Sequence, residues 1–168
     1  MWILIKIKKD KENFVKNEIS KLLKEECNFY IPKYEIVNFD YKRKIIKRTK
    51  KKLFGNYIFC FNKKFKGNEI IGKVNFVKGI QYSLKGTVKD EEEINNFINF
   101  CKKHENPYGI LKNSFFFNFI KSKNMISISS LTNLIIDAVT IKGNKLKAQL
   151  GNVSLILNKN SNYCCYTT

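Results

Sequence analysis

Leu53-Phe54-Gly55-Asn56-Tyr57-Ile58-Phe59-Cys60-Phe61-Asn62 is the stretch on which the fold turns. Along it Leu53, Tyr57, Phe59 and Phe61 fall on one face with Ile58 and Cys60 opposite, the period-two alternation of a strand. Immediately upstream, Tyr41 to Lys52 holds eight basic residues in twelve: Lys42, Arg43, Lys44, Lys47, Arg48, Lys50, Lys51 and Lys52. They predict a long basic hairpin tip, joined on its other side to a strand from Phe29 to Phe39 that is entered through Pro32. At the start of the chain, Trp2 to Lys8 alternates in the same way, with Ile3, Ile5 and Ile7 on one face and Trp2, Leu4, Lys6 and Lys8 on the other. From Asp10, a candidate N-cap, the spacing becomes helical through Phe14, Val15, Ile19, Leu22 and Leu23, ending near Glu26.

Downstream of the central stretch, Val74 to Leu84 reads as one or two short strands broken at Gly79. A helix then begins at Asp90. Ile94, Phe97, Ile98 and Cys101 form its apolar stripe, Glu91 to Glu93 fill its first turn, Lys102 to His104 its last, and Pro107 stops it. The resulting order β-α-β-β-β-α predicts an α+β fold over residues 1–105: an antiparallel sheet with helices on one side, ferredoxin-like in style. Residues 106–123 read as a linker bearing an aromatic cluster, Phe115, Phe116, Phe117 and Phe119. Residues 124–168 alternate around the turn signals Lys142-Gly143-Asn144 and Gly151-Asn152, as a small β-barrel would, although Leu131, Leu134, Ile135, Ala138 and Val139 also fit a helical face behind Ser130.

Composition narrows the function. The 168 residues carry 32 basic and 14 acidic side chains, a net charge of +18. A polyanionic partner accounts for this. So does the codon skew of an A/T-rich genome, because all basic residues but Arg43 and Arg48 are lysine. The apolar opening Met1 to Ile5 is too short for a secretory signal and no run reaches membrane-spanning length, so a cytoplasmic protein is expected. Five cysteines, Cys27, Cys60, Cys101, Cys164 and Cys165, show no CxxC spacing and read as reduced thiols. With His104 as the single histidine, the run Asp90 to Glu93 read as helix capping, and no glycine-rich phosphate loop or GxSxG elbow, neither an enzyme nor a metal or other cofactor is expected.

The tryptophan opening the first strand, the following helix, the proline in the next strand, the basic hairpin and Leu53-Phe54-Gly55-Asn56-Tyr57-Ile58-Phe59 together resemble the NusG family of transcription elongation factors. Asn56 before Tyr57 and Phe59 after it resemble its specialised, RfaH-like branch. Val74 to Gly86 and the helix from Asp90 resemble the next two blocks, so the likeness runs over about 105 residues in the family's order. Gly55 stands where the family's motif has proline, so any bend there must come from glycine's freedom. Residues 124–168 match the family's KOW barrel only loosely, with Leu150-Gly151-Asn152 near its turn.

The resemblance implies a monomeric, non-catalytic factor that docks on the clamp helices of bacterial RNA polymerase and modulates pausing or termination. It places polymerase binding on Phe54, Tyr57 and Phe59, with Trp2 at the start of the first strand. It directs Lys6, Lys8, Lys9, Lys11 and Lys16, together with the hairpin residues Lys42, Arg43, Lys44, Lys47 and Arg48, towards upstream or non-template DNA through phosphate contacts. Residues 124–168 would recruit a ribosomal protein or termination factor, or cover the docking face. The alternative is a free-standing RNA-binding or ribosome-associated protein, whose aromatic and basic sheet would stack single-stranded bases.

Overall fold

In a computed structural model of the protein, residues 1–39, 45–86, 88–122, 140–142, 145–150, 153–158 and 164–167 are described. In chain order the elements are β1 (Trp2–Ile7), α1 (Glu12–Leu23), β2 (Asn28–Tyr30), β3 (Lys33–Phe39), β4 (Ile45–Lys52), β5 (Tyr57–Phe61), a 3-10 turn (Lys63–Lys66), α2 (Asn68–Asn75), β6 (Ile80–Lys85), α3 (Val88–Lys103), β7 (Ile110–Leu111), α4 (Asn113–Ser122), β8 (Thr140–Lys142), β9 (Lys145–Leu150), β10 (Val153–Asn158) and β11 (Cys164–Thr167). The fold is mixed α+β, and every described strand pair is antiparallel except β3 with β7. The chain divides into two compact units, Met1–Ile31 with Asn56–Asn96, and Pro32–Gly55 with Phe97–Thr168.

The first unit is built on a four-stranded sheet in the order β2-β5-β1-β6. β1 is central, and its alternation sends Ile3, Ile5 and Ile7 into a core shared with Ile58 and Cys60 of β5, Val15, Ile19 and Leu23 of α1, and Ile71 and Val74 of α2. The three α1 residues lie at i, i+4 and i+8, one stripe of a helix. Glu12 and Lys16 pair across one turn at 2.7 Å. Lys24 closes the helix in the left-handed region, its N–H donating to the Lys21 carbonyl.

Several expectations are corrected here. The helix begins at Glu12 with Lys11 at the cap position, and Asp10 instead holds a positive φ of 59°. Val74 belongs to α2, not to a strand: Glu69 and Lys73 pair at 2.7 Å, and Ile71 and Val74 are buried three residues apart. Burial of that stripe overrides the β preference of Ile70, Ile71 and Val74. Helices also cover both faces of the sheet, because Trp2, on the face opposite Ile3, donates from Nε1 to the Asn95 side chain of α3 at 2.6 Å.

In the second unit, β4-β3-β7 form a three-stranded sheet. The single strand expected from Phe29 to Phe39 is two strands in two sheets. Pro32 has no N–H to give a ladder and restricts Ile31 before it; its carbonyl accepts from Leu53 N instead, at 2.8 Å. The basic stretch is itself strand up to Lys52, so the strand expected from Leu53 starts only at Tyr57, after a turn with Gly55 at φ 57°. The bend thus rests on glycine's left-handed freedom, as the missing proline implied. Residues 106–123, expected as a linker, carry β7 and α4, with Phe115, Phe116 and Phe119 buried. Their rings meet at close range, Phe115 to Phe116 at 5.2 Å and Phe100 to Phe115 at 5.5 Å, and Tyr34 meets Phe116 edge-on at 6.0 Å.

β8 to β11 form a four-stranded antiparallel sheet in sequential order, pairing Lys142 with Lys145 and Leu150 with Val153 on either side of the two Gly-Asn dipeptides. The helical alternative from Ser130 to Val139 lies outside the described residues, as do Lys42, Arg43 and Lys44.

Candidate functional site

The second face of the first unit's sheet is set by register. Across β1 and β5, Trp2 faces Phe61, Leu4 faces Phe59 and Lys6 faces Tyr57; across β1 and β6, Leu4 faces Leu84 and Lys6 faces Tyr82. The β1–β6 register shifts between Lys6 and Ile7, an irregularity of the kind that re-aims side chains. Burial then grades along this face. Trp2, Leu4 and Phe59 are buried, while Tyr57 is half-buried and Tyr82 is 39% exposed.

At the exposed end, three side chains form a cluster. The Tyr57 and Tyr82 hydroxyls share a hydrogen bond at 2.6 Å, their rings meeting near edge-on at 6.3 Å. Lys6 Nζ stands 5.4 Å from each ring centroid, within cation–π range of both. Tyr57 first, then Tyr82, holds the Lys6 ammonium above the usual lysine pKa. Burial, then the hydrogen bond to Tyr82, raises the Tyr57 phenol. A fixed cation between two aromatic rings can meet an acidic or π-rich partner surface with little side-chain ordering left to do.

Of the sequence-predicted residues, Tyr57 and Lys6 come together here. Phe59 is only 1% exposed and packs 6.4 Å from Tyr30, and Trp2 packs 5.3 Å from Phe61, so both are core side chains of this unit. Phe54 belongs to the second unit, buried against Phe97 at 5.7 Å. Lys8, Lys9 and Lys11 are exposed, and Lys16 is tied to Glu12 and stands 5.9 Å from the Phe29 ring. Tyr82 was missed, because its place beside Lys6 depends on a β1–β6 register that no local pattern announces.

In the second unit, the β3–β4 ribbon carries Lys33, Lys47, Arg48, Lys50 and Lys51, all exposed. Alternation puts Lys52, Lys50 and Arg48 on one face of β4, opposite Lys33, Glu35 and Val37 of β3. Arg48 donates to Glu35 at 2.9 Å. β4 is an edge strand, and its lysines also suit an edge that must resist further pairing.

Among the described residues, no three His, Cys, Asp or Glu side chains gather to hold a metal ion, and no helix is long and apolar enough to cross a membrane. His104 packs 4.7 Å from Phe100 and 6.3 Å from Phe115; burial first, then Lys103 and Lys112, lowers its pKa, so the ring sits as a neutral aromatic and not as a helix-capping cation. No protein-family model matches the chain, and a search of curated proteins finds no match either.

Proposed function

We propose that the chain is a NusG-like transcription elongation or antitermination factor, of the specialised RfaH-like kind, that docks on the clamp helices of bacterial RNA polymerase. The observation that carries this reading is the Lys6–Tyr57–Tyr82 cluster: the strand bearing the family-like motif lies beside β1, and its Tyr57 stands at the exposed end of an otherwise buried apolar face. Aromatic anchors flanked by a fixed cation make typical interface hot spots. Docking centres on Tyr57, Tyr82 and Lys6, while Phe59, Trp2 and Phe54 shape the fold beneath.

The basic ribbon β3–β4, with Lys42, Arg43 and Lys44 in the segment that joins its strands, supplies sequence-independent phosphate contacts to upstream or non-template DNA. The sheet β8–β11 is a divergent KOW-like module that recruits a ribosomal protein or termination factor. The whole acts as a cytoplasmic monomer without catalysis.

A second reading, a free-standing RNA-binding protein, is favoured by the same cluster, since two tyrosines around a lysine also suit stacked bases. One experiment separates them. Tyr57→Ala with Tyr82→Ala should weaken polymerase binding about tenfold or more and leave naked single-stranded RNA binding weak and unchanged. Tight RNA binding abolished in that variant, with polymerase binding absent, would replace the first reading by the second.

A further inference from the structure

We propose that Cys27 is a hydroperoxide-reactive thiol with Cys60 as its resolving partner, so that oxidation closes an intramolecular disulfide between the entry to β2 and the end of β5. The geometry begins with register. β2 and β5 pair Phe29 with Cys60 and Asn28 with Phe61. Cys27 lies two residues before Phe29, so alternation turns it to the same side as Cys60, as a diagonal neighbour across the pair. The two thiols hydrogen-bond to each other.

Their surroundings differ in a way that fits two roles. Cys60 is 0% exposed, while Cys27 is half-buried at the sheet's end. Asn62, itself only 4% exposed, aims its side-chain amide at the Cys27 sulfur at 3.6 Å. That amide is fixed at its other end, because Asn62 Oδ1 accepts from Lys64 N at 2.8 Å. The Cys60 thiol first, then Asn62 and Ser20, offset burial and the Glu25 carboxylate and lower the Cys27 pKa to about 7. Cys60 is pushed the other way, first by its hydrogen bond to Cys27 and then by burial. Glu26, Asn28 and Asn62, the chain neighbours and amide partner of Cys27, line an open cavity of about 410 Å³, a route for a small oxidant.

The chemistry balances with a hydroperoxide as oxidant. The Cys27 thiolate attacks the distal peroxide oxygen; the O–O bond breaks, an S–O bond forms, and the leaving alkoxide or hydroxide takes a proton to give an alcohol or water. Cys27 is oxidised by two electrons to the sulfenic acid. Cys60 sulfur then attacks Cys27 sulfur; the S–O bond breaks, the S–S bond forms, and hydroxide leaves with the Cys60 proton as water.

The test uses the full reduced chain and hydrogen peroxide in small molar excess. After free thiols are blocked, peptide mass mapping should find Cys27 joined to Cys60. Before oxidation, iodoacetamide should label Cys27 about tenfold faster than the buried Cys101, as a thiolate near neutral pH against a thiol requires. In Cys60→Ser, or Cys60→Ala if the serine variant does not fold, dimedone should trap the sulfenic acid on Cys27. Equal labelling of Cys27 and Cys101, or a peroxide-formed disulfide that omits Cys27, overturns the proposal. Both readouts on the wild-type chain stand whatever the variants do, and neither depends on polymerase binding.

Discussion

Phe59→Ala sets the buried part of the aromatic face apart from its exposed end. Phe59 is 1% exposed, faces Leu4 in β1 and Tyr30 in β2, and holds its ring 6.4 Å from that of Tyr30. Removing the ring forfeits its transfer free energy and leaves a cavity between three strands, which costs about 3–5 kcal/mol. Against a usual stability of about 5–15 kcal/mol, that is a large share. Tyr57→Ala, two residues along the same face, removes a half-exposed ring whose hydroxyl pairs only near solvent, and should cost about 1 kcal/mol. With a urea slope of about 2 kcal/mol/M, the midpoints should fall by roughly 2 M and roughly 0.5 M. Trp2, the single tryptophan, reports on this unit through its packing against Phe61 at 5.3 Å, so its fluorescence follows the transition. Equal shifts, or a Phe59→Ala cost below about 1 kcal/mol, would mean that Phe59 is not core and that the exposed part of the face reaches further along β5.

Gly79→Ala should destabilise the first unit by about 1–3 kcal/mol, because φ there is 100° and an added Cβ would stand 3.1 Å from Val15 Cγ2 and 3.3 Å from Lys11 Cβ; a unit as stable as wild type by Trp2 fluorescence contradicts this. Replacing Lys47, Arg48 and Lys50 by glutamine should reduce the slope of log affinity against log salt for DNA by about 0.7–0.9 for each phosphate no longer neutralised. Stability should barely change, since the Arg48–Glu35 pair has a 57% exposed arginine and is worth at most about 1 kcal/mol; an unaltered slope removes the ribbon from the nucleic-acid surface. His104 is held neutral, its pKa below the ordinary 6.5, so the unfolded chain binds more protons in mild acid. Its contribution to stability is full above pH 6.5 and fades as pH falls through the folded value, and His104→Gln should flatten that part of the pH–stability curve.

The strands and helices with one clean period were legible. Ile3, Ile5 and Ile7, the α1 stripe and the helix beginning near Asp90 each announce themselves within a few residues, and all take the predicted secondary structure. What failed was governed by partners distant in sequence. α2 is helical because Ile71 and Val74 have a core to enter, and the phenylalanines of residues 106–123 look like loop aromatics until the unit they pack in is assembled. The strand from Phe29 breaks where Pro32 spends its carbonyl on Leu53, a partner 21 residues away (53 minus 32). The same limit holds at the candidate site: Tyr57 was visible in its motif, but its burial, and the arrival of Tyr82 on the other side of Lys6, follow only from strand order. Cys27 and Cys60 looked like unrelated core thiols for the same reason.

The most direct measurement is the affinity of the full chain for a bacterial RNA polymerase elongation complex, read by anisotropy, with intact polymerase and with polymerase lacking the tips of its clamp helices. Saturable binding to the intact enzyme, abolished both without the clamp-helix tips and in the Tyr57→Ala, Tyr82→Ala variant, is the predicted result. Binding that is absent, or that persists undiminished without the tips, contradicts it.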